Sequence, residues 1–259
     1  MLTHASLLLL VLASATTNPA AAATGQFLER EISLGSESYR YQVFVPLRHD
    51  DRAKLPVILF LHGSGERGDD GMRQTQAGLG PYVRKHATEF PALVVFPQSP
   101  EGRSWEGEIA KMALAALDAS VQEFGGDPDR ITLTGMSRGG YGTYSLAMMK
   151  PDKFAALVPI CGGITSPRHE EPLQVSEVLA QDDPFAAAAA RLKHIPTWIF
   201  HGAKDDVVPP QQSRKMFAAL KEAGGDVRYT ELSDANHNSW DAAYRDEGMW
   251  SWLFAQRLR

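Results

Sequence analysis

The chain predicts an α/β fold in which helices cover both faces of a mostly parallel central sheet, and three observations carry that expectation. Short uninterrupted apolar runs such as Pro56-Val57-Ile58-Leu59-Phe60-Leu61 have the character of strands buried on both faces. These runs alternate along the chain with helix-length amphipathic stretches, the order that builds a parallel sheet. The third is size: 259 residues with 44% apolar and 22% charged content suffice for one large core, so a single domain is expected.

Taken in order, Phe27 to Ser33 and Tyr39 to Val45 alternate like antiparallel strands, with Gly35-Ser36-Glu37 as the turn between them. Pro56 to Leu61, Ala92 to Phe96 and Ile131 to Leu133 follow as buried strands. Ile109 to Phe124 carries Ala, Leu and Val at helical spacing and ends on Gly125-Gly126, a stop signal. A helix over Tyr141 to Met149 is followed by strands at Ala155 to Ile160, Thr197 to Phe200 and Asp226 to Leu232. Gln211 to Ala223 and Asp241 to Gln256 supply an intervening and a closing helix, and the alanine run Ala186 to Ala190 reads as helix filler. One polar stretch breaks the rhythm. Residues 164–183 carry two prolines after a strand end, which suits either a surface excursion or a small lid over a pocket.

Before all of this, an apolar segment Leu7 to Ala13 and the small residues Ala20 to Ala23 resemble a secretory signal peptide over residues 1–23, with the mature domain spanning 24–259. The apolar run is far shorter than the roughly 20 residues of a spanning helix, so stable membrane insertion is not expected. A net charge of -5 with no basic cluster argues against a nucleic-acid partner. The single cysteine, Cys161, excludes an internal disulfide and is placed as a small buried residue at a strand end. His169-Glu170-Glu171 lacks a second histidine at helical spacing, and no metal or other cofactor is expected.

The chemistry begins at Gly135-Met136-Ser137-Arg138-Gly139, a G-x-S-x-G pattern between a strand and a helix. Such a tight turn raises the Ser137 hydroxyl off the sheet and leaves no room for a Cβ at Gly135 or Gly139. A serine needs a histidine to take its proton and a carboxylate to orient that imidazole. The loop Phe200-His201-Gly202-Ala203-Lys204-Asp205-Asp206 supplies the acid, Asp205, with Asp206 as its competitor, and the loop Asn236-His237-Asn238 supplies the base, His237. His201 and His194 read as structural. An oxyanion needs donors; those expected are the backbone amides of Arg138, at its helix N-terminus, and Ser64, on the His62-Gly63-Ser64-Gly65-Glu66-Arg67-Gly68 loop. On this reading the Arg138 side chain is replaceable with modest loss, and Glu66 and Arg67 either pair to hold the loop or are merely solvated.

Taken together, L-H-G-S-G-E-R-G at Leu61 to Gly68, Phe96-Pro97-Gln98 with Trp105, G-M-S-R-G-G-Y-G at Gly135 to Gly142, the Asp205 loop and His237-Asn238-Ser239-Trp240 resemble one group of α/β-hydrolases. This is the phospholipase/carboxylesterase and dienelactone-hydrolase-like esterase group, whose members are often labelled predicted peptidases of the prolyl oligopeptidase superfamily. The resemblance runs from about Phe27 to the C-terminus. It implies an α/β-hydrolase fold and a serine carboxylesterase acting on a small-molecule ester, with the H-G-x-x-D spacing favouring Asp205 as the acid. It also places Gln98, Trp105 and Trp240 at the active-site mouth as substrate contacts, with core or rim packing as the alternative. Residues 164–183 look longer than the group's usual connection. Two other readings stay open: a serine peptidase of the same superfamily, and a binding protein on a hydrolase scaffold.

Overall fold

A computed structural model describes residues 24–47, 53–167 and 173–258. Among these residues eight strands form one sheet: β1 Gln26–Leu34, β2 Glu37–Val45, β3 Leu55–Leu61, β4 Leu93–Pro97, β5 Gly126–Met136, β6 Ala156–Ile160, β7 Thr197–Gly202 and β8 Val227–Leu232. Their spatial order is β1-β2-β4-β3-β5-β6-β7-β8. β1 pairs antiparallel with β2 from Gln26 opposite Val45 to Leu34 opposite Glu37, and β2 pairs antiparallel with β4. Every pairing from β4 through β8 is parallel. The fold is therefore the expected α/β-hydrolase architecture.

Among the described residues seven α-helices accompany the sheet: α1 Leu79–Lys85, α2 Gly107–Phe124, α3 Arg138–Met149, α4 Pro184–Leu192, α5 Gln211–Glu222, α6 Trp240–Tyr244 and α7 Glu247–Phe254. The period of two along each strand divides the core into two layers. On β3, Val57, Leu59 and Leu61 pack with Ile109, Leu117, Leu146 and Leu220 from α2, α3 and α5. The alternate residues Ile58 and Phe60 pack with Leu79, Val83, Tyr244 and Trp250 from α1, α6 and α7. Gly125 ends α2 in the left-handed region at φ 69°, a conformation open to glycine at little steric cost.

Three expectations change. The closing helix is two helices, because the chain turns at Arg245 and Asp246: the Asp246 carboxylate accepts the Met249 amide at 3.0 Å and starts α7 afresh. The Trp250 indole donates to the Tyr244 carbonyl at 2.8 Å, satisfying an acceptor at the end of α6. Helix α1 was not foreseen. The polar stretch 164–183 is also not wholly a surface excursion, since Val175 and Val178 are buried in the core and Asp183 caps α4 through Phe185 and Ala186 amides. The proposed signal segment lies outside the described residues, as does the middle of the polar stretch, residues 168–172. Among the described residues no helix is long and apolar enough to cross a membrane.

Candidate active site

Because β3 to β8 run parallel, their C-terminal ends share one edge, and the chemistry-bearing loops all leave from it. Ser137 follows β5 directly, with φ 54° and ψ −118°, a strained backbone for a residue with a side chain. The glycines around it explain how the chain gets this tight. A Cβ on Gly135 would lie 2.3 Å from the Gly139 carbonyl oxygen, and one on Gly139 would lie 1.8 Å from that of Leu61. The Ser137 amide donates to the Ile160 carbonyl at 2.9 Å, tying the turn to the end of β6.

The Ser137 hydroxyl donates to His237 Nε2 at 2.9 Å, and His237 Nδ1 donates to Asp205 Oδ2 at 2.7 Å. Three residues from three strand ends, up to 100 positions apart, thus form one hydrogen-bonded chain. The two loops that carry the acid and the base are pinned together by Ala203 N–H to Leu232 O at 2.9 Å and Lys204 N–H to Ala235 O at 3.0 Å. Asp205 is buried, whereas its neighbour Asp206 is exposed. Its second oxygen, Oδ1, accepts the amides of Val207 and Val208, both at 2.9 Å. Burial on its own would raise the Asp205 pKa; hydrogen bonds from His201, His237 and the Val208 amide outweigh it and hold the carboxyl well below the ordinary carboxylate range.

His201 is a residue whose contact with the site the sequence did not convey. Its Nε2 donates to the Val208 carbonyl at 2.9 Å and lies 3.2 Å from Asp205 Oδ2, while Nδ1 meets Ser213 Oγ at 2.7 Å. It is structural as expected, and it is structural behind the acid. Cys161 is fully buried at the end of β6 with φ 40°, and burial pushes its thiol up to about 12. Its sulfur and the ligand atoms of Asp205 and His237 lie within 4.8 Å of one another. Both Asp205 oxygens in that group are already engaged in the hydrogen bonds above.

The two oxyanion candidates each stand at the start of a helical turn. Arg138 opens α3 and Ser64 opens a short 3-10 turn, Ser64–Glu66, and the first N–H groups of a helical turn have no acceptor within it. The Arg138 side chain, expected to be replaceable, is built into its surroundings: the residue is 5% exposed, Nε donates to Ser64 Oγ at 2.9 Å and Nη1 donates to Ser104 Oγ at 2.8 Å. Arg67 turns to Glu101 at 3.7 Å and to the Ser64 carbonyl at 3.0 Å rather than to Glu66.

Gln98 and Trp105 take the packing role that the sequence left open. Gln98 is 2% exposed, accepts from the Gly71 amide at 2.7 Å and donates to the Glu66 carbonyl and Asp70 Oδ1 at 3.2 and 3.0 Å. It ties together Glu66, Asp70 and Gly71 on the loop after β3. Trp105, 1% exposed, donates its indole N–H to the His62 carbonyl at 3.0 Å. Trp240 differs: half-buried, it stands edge-on to the His237 ring with centroids 5.6 Å apart.

Comparison with known proteins agrees with this frame. The chain is 30% identical to Esterase LipQ of Mycobacterium tuberculosis over 164 residues, covering 52% of this chain and 39% of LipQ. It is 31% identical over 208 residues to an uncharacterized secreted protein of Arthroderma benhamiae, covering 73% of this chain and 22% of that one. Among solved structures, a thermostable esterase superposes with a TM-score of 0.75 at 30% identity, over 89% of this chain and 63% of its own. The chain thus spans well under half the length of these two sequence relatives. Residues 103–256, more than half of the chain and including all three members of the hydrogen-bonded chain, match the prolyl oligopeptidase family, and the protein belongs to that family, on an α/β-hydrolase fold.

Proposed function

We propose that the protein is a serine hydrolase of carboxylic esters. The observation that carries this reading is the unbroken line from Asp205 through His237 to Ser137, with contacts of 2.7 and 2.9 Å. In the first half-reaction Ser137 Oγ attacks the ester carbonyl carbon as His237 Nε2 takes the hydroxyl proton. Asp205, kept ionised by its four hydrogen-bond donors, steadies the imidazolium. The carbonyl oxygen, now negative, is met by the amides of Ser64 and Arg138. Collapse of this adduct breaks the ester C–O bond; His237 returns its proton to the departing alcohol and the acyl group stays on Ser137. Water then attacks the acyl-enzyme by the same route, losing a proton to His237, and the acid leaves as Ser137 regains its hydrogen. Trp240 beside His237 serves as a wall of the substrate site.

Two relatives bear the word esterase in their names, which supports esters over amides. The family name favours a second reading, a serine peptidase. Ser137→Ala is expected to lower turnover of a short p-nitrophenyl ester by as much as ~10⁶-fold. Retained turnover sinks the hydrolase reading, and a higher kcat/KM for an amide than for its matched ester sinks the ester assignment. A fluorophosphonate that fails to label Ser137 would favour a non-catalytic binding role. Residues 1–23 we read as an export signal, consistent with the secreted Arthroderma relative.

A further inference from the structure

Arg138 is a cation with 5% of its surface exposed, one residue past the nucleophile. Burying a guanidinium costs several kcal/mol unless hydrogen bonds and geometry offset it, so arginines near a surface usually keep their heads in water. Here the head turns inward and joins two loops. Nε reaches Ser64 Oγ on the loop after β3, and Nη1 reaches Ser104 Oγ on the loop after β4. The Ser104 side of this bridge is itself anchored, because adjacent Trp105 is buried and bonded to the His62 carbonyl. The Ser64 side has little backbone structure of its own: the turn Ser64–Glu66 is three residues long, Gly63 in front of it offers no side-chain cap, and Gln98 grips it only at its far end, on the Glu66 carbonyl. A three-residue 3-10 turn has little rigidity of its own. The direction of the Ser64 amide therefore depends on ties made by side chains.

We propose that the Arg138 side chain is a positioning residue that aims the Ser64 amide at the oxyanion, gripping the Ser64 hydroxyl and bracing against Ser104. The same residue then contributes twice, by its backbone amide directly and by its side chain through Ser64. This inference rests on the hydrolase reading of Ser137. A second tie, from Arg67 Nε to the Ser64 carbonyl at 3.0 Å, holds the other side of that residue's peptide. Loss of the Arg138 grip thus loosens the donor without removing it. Removing an oxyanion donor outright costs on the order of 10²–10³ in turnover, and misaiming one costs part of that.

The test is a double-mutant cycle of Arg138→Met and Ser64→Ala, read by steady-state hydrolysis of a p-nitrophenyl ester and by the rate at which a fluorophosphonate inactivates Ser137. Ser64→Ala keeps the backbone amide and removes only the hydroxyl that is gripped. Arg138→Met is expected to lower kcat about 10- to 100-fold with KM changed less than about threefold, because the interaction strengthens in the transition state. Inactivation should slow in parallel while still reaching one label per Ser137. Losses in the double variant should fall well short of the product of the two single losses, since both cut one connection. Arg138→Lys, which can still reach one serine, should recover part of the rate. A kcat for Arg138→Met within about threefold of the parent, or fully multiplicative losses in the double variant, overturns the proposal. Should Arg138→Met fail to fold, Ser104→Ala carries the test: a several-fold fall in kcat supports the brace and an unchanged kcat overturns it. If the unaltered protein takes no fluorophosphonate label, the hydrolase reading itself has failed, an outcome distinct from any of these.

Discussion

His62 is a buried imidazole whose two nitrogens are both committed. Its Nδ1–H donates to the Gly63 carbonyl at 2.6 Å, and Nε2 accepts the Ser99 amide at 3.0 Å, so a second proton would face an N–H. Burial first, with the nearby Arg67 and Arg138 charges adding to it, lowers its pKa to about 4. The unfolded chain, with an ordinary histidine near 6.5, binds more protons between those values. Stability contributed by neutral His62 is therefore complete above pH 6.5 and declines as pH falls toward 4, by about 3 kcal/mol in total. Asp205, depressed rather than raised, loses its contribution only below the ordinary carboxylate pKa, in a separate and more acidic window. Urea melts between pH 7 and 4 should show the His62 slope, and it should flatten in His62→Gln; equal slopes in both proteins would refute this account. Ser137, Asp205 and His237 were legible in the sequence because each lies on the connection after a strand, and strand ends of a parallel sheet converge. The inward turn of Arg138, the bracing by Gln98 and the contact of His201 with Asp205 were not, since each partner lies on a loop whose path depends on the fold.

At the scale of elements, periodicity revealed what burial dictates and missed what short-range capping decides. The strands β3, β4 and β6 announce themselves as apolar runs, and Gly125 marks the end of α2. The break between α6 and α7 has no such mark: Trp240 to Phe254 keeps a helical apolar pattern across it, and the turn is made by one carboxylate at Asp246. Asp246→Ala should lower the unfolding free energy by about 1 kcal/mol, measured by urea titration, with the loss confined to the cap. No change would mean that the Trp250 bond to Tyr244 alone sets the break. Helix α1, with Gly80 and Pro81 in its first turn, has weak intrinsic propensity and stands because Leu79 and Val83 pack against the underside of the sheet. Such a helix is invisible until its neighbours are in place.

Across the whole molecule, a single sheet serves as a common plane from which distant stretches of sequence reach one point, and its two apolar layers hold that plane fixed from either side. Cys161, the only thiol in the chain, sits just past the C-terminal end of β6, the strand between β5 and β7, with none of its surface exposed. A thiol reagent cannot touch it until β6 and its neighbours part, and its high pKa keeps it unreactive besides. The molecule therefore carries an internal clock. With Ellman's reagent in excess, colour should appear at the rate at which the sheet opens and should accelerate with urea along the same slope as global unfolding. Prompt colour in the native protein would mean that the strand ends beneath the nucleophile breathe on their own, and the timing of that colour would measure how often.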